Sequence, residues 1–245
     1  MRSTRVHVPG PLSAGSRQTI DGDAANHIAR VLRLQPGDAL TLFDGRGGEH
    51  AARIEAIRKG AVIVEVQERS AAERESPLSL TLAQGVSRGE RMDWVVQKAT
   101  ELGVTRIVPV LTERTVVKLD AKQSERRREH WQAIAVAACE QSGRNRVPDV
   151  VAPLGLPDFL TRSKATTQAT RLLLSPTGSL RVNDLKAPDG GLVVLIGPEG
   201  GLAEGEQRAA LNAGFLGVRL GPRVLRTETA AVAALTLLQH QFGDL

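Results

Sequence analysis

Tyrosine is absent from this 245-residue chain, and four Phe and two Trp supply every aromatic ring. Stacking platforms, on which single-stranded RNA is usually read base by base, are therefore scarce. A single cysteine, Cys139, excludes an internal disulfide and a cysteine-based zinc site. It falls on the apolar side of a helical stretch, which predicts a small core residue rather than a nucleophile. The five histidines (His7, His27, His50, His130 and His240) are too scattered for a local metal motif. No apolar run approaches the roughly 20 residues of a membrane span. The first residues, MRSTRVHVPG, lack the apolar segment of a secretory signal, which points to a cytoplasmic protein.

What is present is ordinary for a soluble globular protein: 41% hydrophobic and 24% charged residues. A formal net charge of +5 mildly favours a polyanionic partner. The excess is not a tail. Residues 1–72 hold ten Lys/Arg against eight Asp/Glu, so a basic surface must be built by folding.

The polar stretch Gln67–Ser76, followed by Pro77, marks a division, with domains expected at 1–72 and 73–245. Before it, Leu40–Phe43, Ala51–Ile57 and Ala61–Val66 read as short strands with Gly/Asp turns, the pattern of a small β-barrel. Asn26–Leu34 reads as a short helix. After it, strands and helices alternate, which predicts an α/β fold with a largely parallel sheet. The strands expected are Leu78–Gln84, Arg106–Leu111, Arg171–Leu174, Leu192–Ile196 and Val218–Leu220. Arg91–Leu102 is an amphipathic helix stopped by Gly103, and Ser124–Gln141 is a second helix with a basic start.

Two loops near the C-terminus carry the chemistry. In LVVLIGPEGGLAEGE (Leu192–Glu206), five apolar residues read as a strand buried on both faces, and glycines then leave room beside the main chain. The loop is neither a Walker cradle nor a dinucleotide fingerprint, and Glu199 would repel a pyrophosphate. A ligand with a neutral base and a positive centre suits it, as does a plain strand-to-helix turn. In LGPRVLRTETAAVAAL (Leu220–Leu235), Thr227 is placed as an N-cap with Glu228 in the first turn. The helix beyond is apolar almost all round, which implies burial on more than one side. Arg226 at its mouth either pairs with Glu228 or faces an anionic substrate or transition state.

Taken in order, these loops resemble the cofactor motifs of the RsmE family, SPOUT-class methyltransferases of N3 of a uridine in small-subunit ribosomal RNA. The resemblance extends to His27 with Val31-Leu32-Arg33, to Gly37-Asp38 and to Leu42-Phe43-Asp44-Gly45. In the middle it covers Arg91-Met92-Asp93-Trp94, Gln97 to Val104, and Glu140-Gln141-Ser142-Gly143-Arg144. It implies a PUA-like RNA-binding barrel, a trefoil-knotted catalytic domain, S-adenosyl-L-methionine as cofactor, and a homodimer built through the knotted domain. It assigns the cofactor to Leu174, Ser175, Gly197, Pro198, Glu199, Gly200 and Gly201, and to Leu220, Gly221, Leu225, Arg226, Thr227, Thr229 and Ala230. RNA contacts fall on Arg5, His27, Arg30, Arg33, Arg88, Lys98, Arg114, Glu140, Gln141 and Arg144. Lys98 and Glu101, at i and i+3, are equally placed to pair with each other. Arg88 stands where the family favours lysine, and Arg5-Val6-His7-Val8 lacks the family's aromatic residues.

Methylating uridine N3 requires removing its proton or stabilising the anion left on O2 and O4. Arg226 is the candidate for the electrostatic role, and Glu228 or Glu199 for taking the proton. N3 lies on the pairing edge, so the target must be unpaired or flipped out. Two other classes fit the sequence: a non-catalytic RNA-binding or assembly protein on the same fold, and an α/β enzyme acting on a small nucleotide.

Overall fold

The computed structural model describes residues 4–115, 119–164 and 168–245. The chain divides into two compact units: Met1–Glu75 with Cys139–Val147, and Ser76–Ala138 with Pro148–Leu245. The segment Cys139–Val147, which the sequence places in the second domain, is thus part of the first unit.

In the first unit, β1 (Thr4–His7), β2 (Arg17–Asp21), β3 (Ala39–Phe43), β4 (Glu49–Arg58) and β5 (Ala61–Ser70) form one sheet in the order β1-β3-β4-β5-β2. Only β1 and β3 run parallel, and the open order makes this a half-barrel with β1 and β2 as edges. Along β5, Val62, Val64 and Val66 are buried in alternation, the period of a strand with one face on a core. That core includes Leu40, Ala52, Ile54 and Ile28. The two edge strands escape the sequence reading because each is short and flanked by Gly, Ser or Pro.

The helix expected over Asn26–Leu34 takes another form. A single turn, α1 (Gly22–Asn26), widens into a π-turn over His27–Val31, and Arg33 ends it at φ 54° in the left-handed region. The wide turn keeps Ala25 and Ile28 buried, and the left-handed residue returns Leu34 to the same core. Val31, Leu32, Arg30 and Arg33 are left outside.

The second unit is built on β6 (Leu80–Gly85), α2 (Glu90–Glu101), β7 (Arg106–Leu111), α3 (Ala121–Ser142, whose residues from Cys139 belong to the first unit), β8 (Asp149–Val150), β9 (Leu154–Gly155) and α4 (Leu156–Lys164). It continues with β10 (Thr170–Leu174), β11 (Leu192–Ile196), α5 (Glu204–Asn212), β12 (Leu216–Val218) and α6 (Thr227–Phe242). The strands pair in parallel in the order β12-β10-β11-β6-β7-β8, with β9 also along β7. An α/β fold on a parallel sheet is therefore what the alternation of elements predicted. Central β11 is buried at all five positions, as its unbroken apolar run requires.

The second unit departs from the sequence reading at a strand, at a helix start and in one buried face. β12 lies two residues before the expected Val218–Leu220, because it pairs with β10 from Leu172↔Leu216 to Leu174↔Val218. α3 starts three residues early, where the Gln123 amide donates to Asp120 Oδ1 (2.7 Å) and Asp120's amide to Gln123 Oε1 (3.1 Å). That reciprocal cap was legible as an Asp-x-x-Gln spacing. Finally, α6 buries a stripe of Ala230, Ala231, Ala234, Leu235 and Leu238, while Thr236 and Leu237 remain exposed. Its apolar character all round overstated its burial.

Candidate cofactor and RNA site

The parallel strands β10 and β11 end at the same side of the sheet, and the chain after each must turn away there. Open α/β sheets bind ligands at such strand ends. Here the turns enclose a cavity of about 340 Å³, within the range of roughly 300–1,000 Å³ usual for small-molecule sites. Leu174 and Ser175 contribute from the end of β10, and Gly197, Pro198, Glu199, Gly200 and Gly201 from the end of β11. Leu220, Gly221 and Leu225 close it from the loop after β12, and Thr227 and Ala230 from the start of α6.

Side-chain hydrogen bonds hold these loops to the sheet and to each other. Thr227 Oγ1 donates to the Gly197 carbonyl at 2.7 Å and accepts from Gln84 Nε2 at 2.8 Å. Gln84 is fully buried at the end of β6, so a side chain beneath the site ties the two loops together. Arg114 Nη1 donates to the Gly200 carbonyl at 2.8 Å. Gly85 belongs to the same construction: a Cβ there would lie 2.3 Å from the nitrogen of Pro198. Among the first loop's glycines, a Cβ on Gly197 would meet the Leu202 nitrogen at 2.9 Å, and Gly201 sits at φ +67°. The loop's own backbone demands these glycines, whatever a ligand requires. Gln84, Gly85 and the lining residues Leu173, Ile196, Leu202, Gln207, Arg223 and Val224 were missed by sequence reasoning. For Gln84 and Gly85 the available signal was a polar-glycine pair ending an apolar strand.

Thr227 is not the N-cap of α6. That position is Arg226, with φ −63° and ψ 152°, and Thr227 is the first helical residue. Helical spacing then decides which side chains face the cavity: Thr227 and Ala230 do, while Arg226, Glu228 and Thr229 do not line it. Arg226 and Thr229 thus fall outside the cavity to which the resemblance assigned them. Arg226 is exposed and forms no ion pair with Glu228 or any other described carboxylate. Glu199 is committed. Its Oε1 accepts from the Arg88 amide and from Arg91 Nη1, both at 2.9 Å. Burial pushes its carboxyl up, but the Arg88 amide, its own amide and Arg91 outweigh this and leave its pKa lowered. A carboxylate held ionised in this way is a weak base.

The RNA candidates separate by burial. Arg144 is 3% exposed and grips Glu75 through Nε and Nη2. Arg5 bonds to Glu49, to the Arg144 carbonyl (3.1 Å) and to Asn145 Oδ1 (2.6 Å), with its guanidinium 4.9 Å from the Phe43 ring centre. Arg5 holds Glu49 below the usual carboxylate range against the opposing pull of burial. The structure gives both arginines to the fold of the first unit, because a buried guanidinium must be satisfied internally. Glu140 Oε1 accepts the His7 amide at 2.9 Å, and Lys98 pairs with Glu101 at 2.8 Å. His27, Arg30, Arg33, Arg88, Arg114 and Gln141 are exposed. Cys139 is fully buried, and burial pushes its thiol up to about 12, which fits a core residue. No cluster able to hold a metal occurs among the described residues, nor any helix long and apolar enough to cross a membrane.

The comparisons agree with this geometry. An RNA methyltransferase domain model matches residues 74–239, and an RNA methyltransferase PUA domain model matches residues 20–67. Ribosomal RNA small subunit methyltransferase E of Bacillus subtilis is 33% identical over 229 residues, covering 91% of this chain and 90% of that protein. Its counterpart from Mycobacterium tuberculosis is 34% identical, covering 90% and 85%. The crystal structure of the Neisseria gonorrhoeae enzyme of that name, bound to S-adenosyl methionine, is 40% identical over the whole of both chains with a TM-score of 0.92. A Legionella pneumophila methyltransferase with bound SAM is likewise 40% identical over both whole chains, with a TM-score of 0.95. The chain belongs to the RNA methyltransferase family that includes ribosomal RNA small subunit methyltransferase E.

Proposed function

We propose that this protein methylates N3 of an unpaired uridine in small-subunit ribosomal RNA, using S-adenosylmethionine bound in the cavity between the two glycine loops. The observation that carries the reading is the cavity at the ends of β10 and β11, with the unpaired Arg226 immediately beside its lining. Apolar Leu173, Ile196, Leu202 and Leu225 suit an adenine ring, and the main chain of Gly197–Gly201 offers polar groups. Bound there, the cofactor supplies an electrophilic methyl group.

The protein's own task is to present N3 as a nucleophile and to exclude water. Arg226, whose neighbours Leu225 and Thr227 line the cavity, stabilises the charge left on O2 and O4 when the N3 proton departs. Glu228 is the carboxylate we assign to receive that proton. Glu199 serves as the loop's anchor, since Arg91 and the Arg88 amide already hold its charge. The first unit grips the RNA through exposed His27, Arg30 and Arg33, and exposed Gln141 belongs to the same unit. The active form is a homodimer through the second unit, a reading supported by the 41% exposure of Trp94 and the 81% exposure of Val224.

The test is nucleoside mass spectrometry of ribosomal RNA from a strain lacking the protein, with methyl transfer reconstituted in vitro. The expected result is loss of one N3-methyluridine and its restoration by protein plus cofactor. Normal methylation in that strain, with RNA binding by the purified protein, would instead favour the assembly-factor reading.

A further inference from the structure

A second concave site lies in the same unit. After β10, the segment Gly178–Arg181 runs beside β12: the Leu180 amide donates to the Gly217 carbonyl (3.1 Å) and the Arg219 amide to the Leu180 carbonyl (2.9 Å). Leu180 and Val218 form a parallel bridge. Glycine is needed for this approach, because a Cβ on Gly178 would lie 2.6 Å from the Val218 carbonyl carbon. Arg181 and Arg219 are the residues that directly follow the two bridged positions.

Both side chains are exposed, and like charges lining one cavity repel. Other arginines of this unit have an acid partner, as Arg91 has Glu199 and Arg106 has Asp149. No described carboxylate forms an ion pair with Arg181 or Arg219. Asp184 turns its Oδ2 to the main-chain amide of Arg181 instead, at 2.7 Å. Both arginines line a cavity of about 490 Å³ together with Asn183, and no acidic residue lines it. Pro176, Leu220 and Gly221 form a wall common to this cavity and to the first one.

We propose that Arg181 and Arg219 form a seat for a backbone phosphate of the RNA strand, next to the nucleotide being methylated. Planar guanidinium forks match phosphate oxygens two at a time, and an anion between them removes their mutual repulsion. Because the cavities share a wall, a phosphate held in one fixes how the neighbouring base meets the other. The arginines are thus positioning residues. The proposal rests on reading the first cavity as the methyl-transfer site.

The experiment uses the full-length protein as wild type, as the Arg181→Ala/Arg219→Ala double variant and as the corresponding Lys/Lys variant. RNA affinity is measured against salt on a small-subunit ribosomal RNA fragment, together with cofactor affinity, the methylation KM and kcat, and sedimentation. The expected result for the alanine pair is a KM for RNA raised about tenfold or more, with cofactor affinity unchanged and kcat within about twofold. Its salt slope should fall by about 0.7, from loss of one phosphate contact on a single strand. The lysine pair should restore the slope but only part of the affinity. An unchanged slope would overturn the proposal. So would a double variant that sediments differently, which would assign the cavity to contact between copies. Inorganic phosphate that raises the melting temperature of the wild type only, with RNA binding equal in both, would make it a free-anion site and overturn the proposal too. If the wild type transfers no methyl group, the parent reading fails while the salt slope still judges the seat.

Discussion

Arg144 in the first unit and Arg226 in the second carry the same guanidinium to opposite ends. The first is 3% exposed and wrapped around Glu75; the second is exposed at the start of α6 with no acid bound to it. Arg5 follows the first pattern, and Arg181 and Arg219 the second. A buried guanidinium costs several kcal/mol unless its charge and donors are met within the protein, so it becomes part of the scaffold. An exposed, unpaired one keeps its donors available for an anion that arrives later. Position within a motif does not separate the two. Burial and pairing do.

The largest effect should come from breaking the scaffold. Arg144→Ala leaves the Glu75 carboxylate, on a side chain only 15% exposed, with the Arg146 amide but without its charged partner. The expected cost is about 3–5 kcal/mol, read as a fall in urea midpoint. A variant of wild-type stability that bound RNA weakly would place Arg144 on the ligand side of the comparison.

Arg226→Ala should do the reverse. Its stability should match the wild type, while the single-turnover methylation rate falls by 10²-fold or more, as for removal of one donor to a developing anion. RNA and cofactor affinities should change far less, because the contact strengthens chiefly in the transition state. Arg226→Lys should recover the rate only in part. A normal rate in a stable Arg226→Ala protein would end its assignment to chemistry.

A smaller change is expected at the π-turn. Neutralising Arg30 and Arg33 together should lower the salt slope of RNA binding by about one to two, with thermal stability preserved. An unaltered slope would make them solvated surface.

The smallest effect concerns pH. Glu199 has its carboxyl lowered from the ordinary 4.5, so its interactions stabilise the fold fully above that value. That contribution is lost as pH falls through the lowered one. Melting curves of wild type and Glu199→Gln should therefore differ at neutral pH and converge in acid. A difference that persists at the lowest pH would remove the Arg91–Glu199 pair as its cause.

Much of the second unit was legible because its signals are local. The run Leu192–Ile196 is too apolar to be anything but a central strand, and Met92, Val95, Val96 and Ala99 mark one buried face of α2. Edges were harder. β1 and β2 hold together by pairing with residues far along the chain, Leu40–Phe43 and Ala61–Glu65, and no local pattern announces that. The site was legible to the same extent. Both glycine loops stood out, yet which side chains of the second would face the cavity depended on where α6 begins, one residue from the expected cap.

The sequence by itself determined the alternation of strands and helices and the position of the two loops. Periodicity and residue type act over a few neighbouring residues, and those features need nothing more. Only the tertiary structure decided that Arg5 and Arg144 are internal and that Gln84 joins the two loops from below. It alone decided that Arg181 and Arg219 line one cavity. Burial and like-charge proximity are properties of residues brought together from distant parts of the chain, and they come into being when the sheet forms.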